Sequence, residues 1–278
     1  MKLDFLNKRI LLVVGFLLAL IPQSLMAQKN KPMNLKNYDN EPYHFGFILA
    51  VNQMSYVFNY IDNYPMLPHA PSEYPNTADV NYNTSATYYM RSIESSQQPG
   101  FTVGVVGNLR LGRYFDLRLI PSLSFGTRTI KYHIFKEMPS GSAVPSLDIL
   151  QEKSILSTFV EFPLHVKYRA KRLNNVSAYL LAGGNFKIDL ASQKKNQIDV
   201  TNAQGQQETV IDNIKVKKSD IALEIGTGFD FYNSYFKLGI EIKMSFGLLN
   251  ILDSQNLIYD SSIETLHNRT LQLSLTFE

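Results

Sequence analysis

The sequence predicts an all-β protein, an eight-stranded antiparallel transmembrane barrel of the kind found in outer membranes. Eight segments alternate apolar and polar residues, as a strand does when its two faces meet different surroundings. The connections between these segments are alternately long and short, as in outer-membrane barrels, where the turns on one side of the membrane are short. Lipid would cover the apolar face, and closure of the barrel would remove exposed strand edges.

A targeting segment precedes the predicted barrel. Three basic residues within positions 1–9 lead into an apolar run at 10–21, and the small residue Ala27 follows. This order is typical of a signal peptide, which we place at residues 1–27. An uncleaved membrane anchor is the alternative, but the run is shorter than the roughly 20 residues that a spanning helix needs. The polar residues 28–42 then form a predicted flexible leader.

Composition narrows the possible classes of protein. The chain has 278 residues and a formal net charge of +3, with no cysteine and no tryptophan. Disulfide bonds and thiolate metal sites are therefore excluded, and the small charge gives no support for nucleic-acid binding. The length suits a single domain.

Each predicted strand has an apolar residue at nearly every second position. The strands span residues 43–52, 100–111, 115–132, 155–169, 176–190, 219–232, 235–248 and 269–278. In the first four strands, the apolar row includes Phe45, Phe47, Leu49, Val103, Val105, Leu117, Leu119, Leu164 and Val166. In the last four, it includes Leu180, Phe186, Leu223, Ile225, Leu238, Ile240, Leu271 and Leu273. Ten strands are possible if residues 81–93 form a further hairpin.

Two prolines fall inside predicted strands. Pro121 and Pro163 cannot donate a ladder hydrogen bond, and a closed barrel has no edge strand where that loss would be harmless. We therefore predict a local β-bulge at each proline.

The connections predict orientation. The turns at 112–114, 170–175 and 233–234 are short, whereas long loops occupy residues 53–99, 133–154, 191–218 and 249–268. Short turns are periplasmic in outer-membrane barrels, so both ends of the barrel domain, residues 43–278, should be periplasmic. Aromatic residues at those strand ends, Tyr232 among them, would form an interfacial girdle. The long loops are where partner binding is expected, and the Tyr-rich first loop suits recognition of a protein or glycan, or forms a lid over the barrel mouth.

The residues between those of the apolar row form a second, polar row in each strand. This row would face the barrel interior, and it carries charges of both signs. Its members include Arg110, Asp116, Arg118, Arg128, Glu161, Lys167, Arg169, Lys187, Asp189, Asp220, Glu224, Asp230, Lys237, Glu241 and Lys243. Side chains alone can fill an eight-stranded barrel, which predicts a paired structural network without an open pore. A narrow ion or solute pathway is the alternative. Because Glu161 would be a buried charge, we expect it to pair with Arg118 or Arg128.

Signals for catalysis are weak. The five histidines have no metal-ligand spacing, and the chain lacks a Gly-x-Ser-x-Gly elbow. We therefore predict no catalytic, cofactor-binding or metal-binding residue. The alternative is an outer-leaflet hydrolase that uses His133 and His165.

The fourth predicted strand carries a recognisable motif. The segment Phe159-Val-Glu-Phe-Pro-Leu-His-Val-Lys-Tyr-Arg169 resembles the Glu-Ile-Pro-Leu-x-x-Lys-Tyr signature of small outer-membrane barrels from Bacteroidetes-type bacteria. Residues 171–192 are similar to the PorT family, also called SprT, and residues 121–129 resemble the same group. The resemblance covers the second to the eighth strand.

This resemblance implies a non-enzymatic outer-membrane component of the type IX secretion system. That system exports cargo with C-terminal sorting domains and in many bacteria supports gliding motility. The protein would be surrounded by outer-membrane lipid and contact other outer-membrane or periplasmic secretion proteins, without nucleic acid or cofactors. It would not be the cargo conduit, which needs a much larger barrel. The alternative is a general small barrel for solute passage, adhesion or envelope structure.

Overall fold

The computed structural model describes residues 32–70, 73, 86–143, 145–191, 197–201, 207–211, 214–255 and 257–278. The signal peptide predicted at residues 1–27 lies outside these ranges. In the described part of the chain, no helix is both long and apolar enough to cross a bilayer.

The described strands are antiparallel and close into a ring. Their bounds are β1 Tyr43–Tyr60, β2 Pro68–His69, β3 Thr87–Arg110, β4 Phe115–Leu119, β5 Ser122–Glu137, β6 Leu147–Arg169, β7 Val176–Asp189, β8 Gln197–Thr201, β9 Gln207–Ile211, β10 Ser219–Tyr232, β11 Lys237–Gly247 and β12 Ile263–Phe277. Strand β1 pairs with both β12 and β3, which joins the two ends of the sheet. Strands β4 and β5 lie end to end between β3 and β6 and together occupy one strand position of the ring. We call each strand position a stave, and the eight staves are β1, β3, β4–β5, β6, β7, β10, β11 and β12. The predicted antiparallel barrel is confirmed.

The strands are longer than predicted on the side of the long connections, which we call the long-loop end. Strand β1 continues to Tyr60, β3 begins at Thr87, β5 continues to Glu137 and β6 begins at Leu147. The connections that remain there are 61–86, 138–146, 190–218 and 248–262. Residues 87–93 belong to β3. They therefore do not form part of a separate hairpin, as was considered for residues 81–93. Two short 3₁₀ helices, Tyr38–Asn40 and Tyr64–Met66, lie outside the ring.

The predicted bulges at the prolines are wrong. The pairing partners keep one register on both sides of Pro121, and β6 pairs with β7 without a shift through Pro163. Both proline carbonyls still accept hydrogen bonds, from the amides of Val105 at 3.0 Å and Ile120 at 3.1 Å. Each proline therefore lacks only the hydrogen bond that its own backbone nitrogen would have donated. The hydrogen-bond ladder is interrupted locally between β4 and β5, and the strand register does not shift.

The outer surface of the ring is apolar between its two ends. Large side chains there are exposed, as expected for a face that lipid covers, among them Phe45, Phe47, Leu49, Val105, Leu164, Leu180, Leu223, Ile225, Ile242 and Leu273. Tyr232 does not belong to the predicted aromatic girdle, since it is buried inside the ring.

The inside of the barrel changes character along its axis. In the extensions at the long-loop end, many inward residues are apolar, and they pack with residues of the connections 214–218 and 248–262 into one cluster, the apolar cap. Its buried members include Tyr56, Tyr88, Met90, Ile130, Tyr132, Ile258, Tyr259 and Leu266. Tyr56 and Tyr88 belong to the segment 53–99, predicted to be a loop for partner recognition or a lid over the barrel mouth; instead, both are core residues of these strand extensions.

The opposite, short-turn end is covered by residues 32–42, the N-terminal strap. The backbone amide of Asn34 donates to Asn175 Oδ1 at 2.9 Å, and its side chain donates to the Tyr232 carbonyl at 3.0 Å. Tyr38 is buried and stacks on His44 with ring centroids 3.7 Å apart. The predicted flexible leader is therefore packed onto the barrel over its described residues.

Adjacent glycines on β7 give a test of how closely the strands pack. A Cβ atom at Gly183 would lie 2.0 Å from the Leu164 carbonyl oxygen, whereas one at Gly184 would meet only the Ala222 carbonyl oxygen, at 3.9 Å. We expect Gly183→Ala to destabilise the barrel by about 1–3 kcal/mol or more, as overpacking does, and Gly184→Ala to leave stability nearly unchanged. Urea unfolding followed by far-UV circular dichroism measures the difference, and equal midpoints for both variants would contradict it.

Candidate functional site

The middle of the barrel contains a group of titratable side chains around Glu224 of β10. One Glu224 oxygen lies 2.8 Å from Lys243 Nζ and 2.8 Å from His165 Nε2, while the other accepts from Asn185 Nδ2 at 2.7 Å. Lys187 lies 3.9 Å away. Glu224 is 1% exposed, so this carboxylate depends on its partners rather than on water for its stabilisation.

A second group surrounds Arg118, which is also fully buried. Arg118 Nη1 donates to Glu241 at 2.6 Å, and the Tyr179 hydroxyl donates to the same Glu241 oxygen at 2.9 Å. Arg118 Nη2 lies 3.9 Å from Glu278, the last residue of the chain. Arg118 on β4 thus reaches across the ring to β11, because the lumen is narrow enough for one long side chain to bridge it.

A third group lies where the polar interior meets the apolar cap. Arg128 donates to Asp189 at 2.6 Å, to Asn268 at 2.6 Å and to Ser157 at 2.8 Å. Its guanidinium also lies 4.7 Å from the centre of the Tyr56 ring. This cation–π contact joins the charged interior to the cap.

A fourth group closes the short-turn end. Lys167 pairs with Asp230 at 2.8 Å, and Lys237 pairs with Glu278 at 2.7 Å. Arg169 pairs with Asp39 of the strap at 2.7 Å. The Tyr38 hydroxyl of the strap donates to Glu278 at 3.0 Å, and the pKa of Tyr38 is raised above its usual value by burial and then by the neighbouring Glu278 charge. The strap is thereby tied to the ends of the ion-pair network, our name for these four groups.

The structure places most of the predicted interior residues in this network. The buried members are Asp116, Arg118, Arg128, Glu161, Lys167, Arg169, Lys187, Asp189, Asp220, Glu224, Asp230, Lys237, Glu241 and Lys243. Arg110 lies apart at the rim, where its Nε donates to the Gly112 carbonyl at 2.7 Å. The residues predicted for the interior did not include Glu278, Tyr179 or Asn185. The alternation of the sequence nevertheless places all three residues on the inward face of their strands.

The predicted partner of Glu161 is wrong. Glu161 lies opposite Lys187 in the β6–β7 register, and their charged atoms are 3.5 Å apart. Arg118 and Arg128 pair instead with Glu241 and Asp189. Glu161 does pair with a basic residue on an adjacent strand, as predicted, but that strand is β7. The stave formed by β4 and β5, on the other side of β6, does not supply the partner.

His133 and His165, the residues of the hydrolase alternative, do not share a site. His165 lies inside the barrel against Glu224, while His133 contacts Asp148 at 3.0 Å with 37% of its side chain exposed. His133 is opposite Leu150 of β6, and His165 is 15 residues further along that strand, or about 50 Å at 3.3 Å per residue. Within the described ranges, no cluster of three His, Cys, Asp or Glu side chains is arranged to hold a metal ion.

Comparison with protein families decides the broad class. The model for the outer membrane protein beta-barrel domain matches residues 26–253. The chain belongs to this family. As a member of an outer-membrane β-barrel family, it is located in the outer membrane. No curated protein matches the sequence.

Solved structures similar to this family member include a surface protein and two outer-membrane proteins. Neisserial surface protein A is 10% identical, with 85% of this chain and 98% of that chain covered and a TM-score of 0.38. OprG from Pseudomonas aeruginosa is 9% identical, with 85% and 94% covered and a TM-score of 0.39. The protease OmpT from Escherichia coli is 7% identical, with 85% and 94% covered and a TM-score of 0.33.

The geometry of the site is that of buried ion pairs between different strands of the ring. Charges of both signs meet one another at hydrogen-bond distance across the polar interior. The cap and the strap cover the two ends of this interior. The ion pairs therefore connect strands on different sides of the ring, as Arg118 of β4 and Glu241 of β11 do.

Proposed function

We propose that this protein is a non-enzymatic accessory of the type IX secretion system, related to the PorT family, and that it acts through protein contacts. The observation that carries the mode of action is the narrow ring, whose interior is crossed by ion pairs; a barrel of this size is too narrow for a folded cargo protein. The assignment to type IX secretion is supported by the resemblance of residues 159–169 and 171–192 to that family. In this proposal both termini are periplasmic, and the long-loop end faces the exterior, because short turns are periplasmic in bacterial barrels.

A pull-down from the native outer membrane tests the proposal. The tagged protein is solubilised in mild detergent, and its partners are identified by mass spectrometry. Co-purification of a very large translocon barrel, together with loss of surface cargo in a deletion strain, is the expected result. Normal surface cargo in a deletion strain that has lost the protein entirely would overturn the proposal.

Planar-bilayer recording separates this function from the solute-passage alternative. Because ion pairs cross the lumen and both of its ends are covered, we expect no stepwise conductance from the purified protein. A control with a known small porin in the same membranes shows that insertion is detectable. Reproducible conductance steps that depend on Arg118 or Glu224 would favour solute passage instead.

A further inference from the structure

Strand β6 has a free backbone edge at the long-loop end. It pairs with β5 in one register as far as Leu147, but its pairing with β7 stops at Phe159. The last hydrogen bond on the β7 side runs from the Leu190 amide to the Thr158 carbonyl at 2.8 Å. Beyond it, residues 147–157 pair only with β5 within the described part of the chain.

The alternation of the hydrogen-bond ladder shows which residues face this edge. In an antiparallel strand, the N–H and C=O of one residue point to the same neighbouring strand, and those of the next residue point to the other. Odd-numbered residues of β6 face β4 and β5, since the Pro163 carbonyl accepts from the Ile120 amide, whereas Thr158 faces β7. Because the β5–β6 register is constant, the free edge is carried by the even-numbered residues Asp148, Leu150, Glu152, Ser154 and Leu156.

The described segments around β6 leave this edge uncovered. No backbone hydrogen bond from any described residue outside the strands reaches it. The apolar cap approaches β6 through inward side chains, as the Tyr259 hydroxyl does when it donates to Gln151 at 2.8 Å. Strands β8 and β9 pair with each other in a separate sheet. An unpaired strand edge of this kind is a template for an extended segment of another chain.

This part of β6 lies beyond the apolar belt of the barrel. The outward side chains of β6 are mainly apolar from Leu156 to Tyr168, whereas Glu152 and Ser154 are polar and exposed. Polar outward residues indicate contact with water and not with lipid. A segment of a soluble partner can therefore reach the edge without entering the bilayer.

The side chains along the edge favour a basic partner. Glu94, Lys131 and Glu152 are register partners across β3, β5 and β6, so charges alternate along this outward row. A fourth strand would continue the alternation with a basic residue beside Glu152, and opposite charges on neighbouring strands are stabilising. Asp148 adds a second carboxylate, with 61% of its side chain exposed. A second copy of this chain, paired through the same edge, would bring two further carboxylates instead of a cation.

We infer that the free edge of β6, residues 148–156, binds an extended segment of a partner protein with basic residues at alternate positions. The segment adds as a further antiparallel strand, like the other strands of the ring. Its backbone pairs with the even-numbered residues of β6, and its basic side chains lie beside Glu152 and Asp148. Backbone pairing supplies affinity, and the alternate side chains supply specificity. The site does not depend on the proposed role in secretion, because it requires only the described strands.

Binding of a fluorescent peptide to the detergent-solubilised protein tests this inference. The probe is an extended peptide as long as the edge, rich in valine and threonine, with lysines placed opposite Glu152 and Asp148. Fluorescence anisotropy should show saturable binding to the wild type. Ser154→Pro should weaken binding at least about tenfold, because proline removes an N–H that faces the edge while the β5 ladder keeps its own donors.

Ser154→Ala is the matched control, since it loses the same hydroxyl and keeps the backbone N–H. It should bind the peptide like the wild type, and both variants must show the folded band in a gel-shift assay. Two altered peptides locate the contact: one has N-methyl groups on the amides that would face β6, and the other has glutamate in place of lysine. Each should bind at least about tenfold more weakly than the original peptide. Hydrogen exchange should show protection of the Leu150, Glu152 and Ser154 amides by the original peptide.

Several results would overturn the inference. One is the absence of saturable binding to the wild type, and another is equal binding to the wild type and the Ser154→Pro variant. Dimerisation of the wild type that Ser154→Pro abolishes would make a second copy the occupant of the edge. Peptide binding that appears only after residues 192–213 are replaced by a short Gly-Ser linker would make the chain's own connection the occupant.

Discussion

Replacing Glu224 by Gln should lower the free energy of unfolding by about 3–5 kcal/mol, the cost of breaking a buried ion pair by removing one partner. The reason is that Lys243, 2.8 Å from Glu224 and 3% exposed, would keep its charge without its nearest counter-ion. Since the chain has no tryptophan, unfolding is best followed by the heat-dependent gel shift and by circular dichroism in urea. The variant should lose its folded band at a clearly lower temperature or urea concentration.

Two further variants test this explanation. Adding Lys243→Met to Glu224→Gln should recover much of the lost stability, because the unpaired charge is removed together with its partner. Asp148→Asn, which breaks the exposed contact to His133, should cost less than about 1 kcal/mol. If the Glu224→Gln variant unfolds like the wild type, the ion-pair network does not hold the staves together.

The membrane-spanning part of the fold was predictable because lipid imposes a strict alternation on it. Every second residue of β10, from Ile221 to Phe231, faces out, and Asp220, Glu224 and Asp230 face in. The predicted bounds of that strand equal the observed ones, and the inward charges follow directly from parity. Individual partners were not predictable, since a narrow lumen lets Arg118 bridge to Glu241 across the ring as easily as Glu161 meets Lys187 beside it.

The two ends of the barrel were not predictable, for a different reason in each case. At the long-loop end the pattern inverts: inward residues such as Met90 and Ile130 are apolar, while outward residues such as Arg91 and Lys131 are exposed. A sequence pattern in which the outward residues are apolar therefore ends before these strand extensions begin. At the short-turn end the strap is polar in composition, and its order comes from specific contacts such as the Asp39–Arg169 ion pair, which composition does not encode.

At the long-loop end the inward residues form an apolar core that is separate from the ion-pair network. We therefore expect that the apolar cap can unfold locally while the rest of the barrel stays folded. Tyr259 packs on Tyr132 with ring centroids 4.9 Å apart and is fully buried. Tyr259→Ala should therefore cost the cap about 3–5 kcal/mol, as removal of a buried aromatic side chain does. The ion-pair network has no member in connection 248–262, so we expect the gel-shift temperature of the barrel to stay near that of the wild type.

Hydrogen exchange read by mass spectrometry locates this opening. The amides of Ile251 and Ile258, which donate to Leu266 and Glu73 at 2.9 and 3.0 Å, should exchange at least about 100-fold faster in Tyr259→Ala, since each 1.4 kcal/mol is a factor of ten. Tyr259→Phe keeps the ring and loses the hydroxyl bond to Gln151, so it should change exchange about tenfold or less. A loss of barrel stability in Tyr259→Ala as large as that of Glu224→Gln would show that cap and barrel unfold as one unit. Independent opening would instead mean that the long-loop end can rearrange for a partner while the charged interior keeps the barrel intact in the membrane.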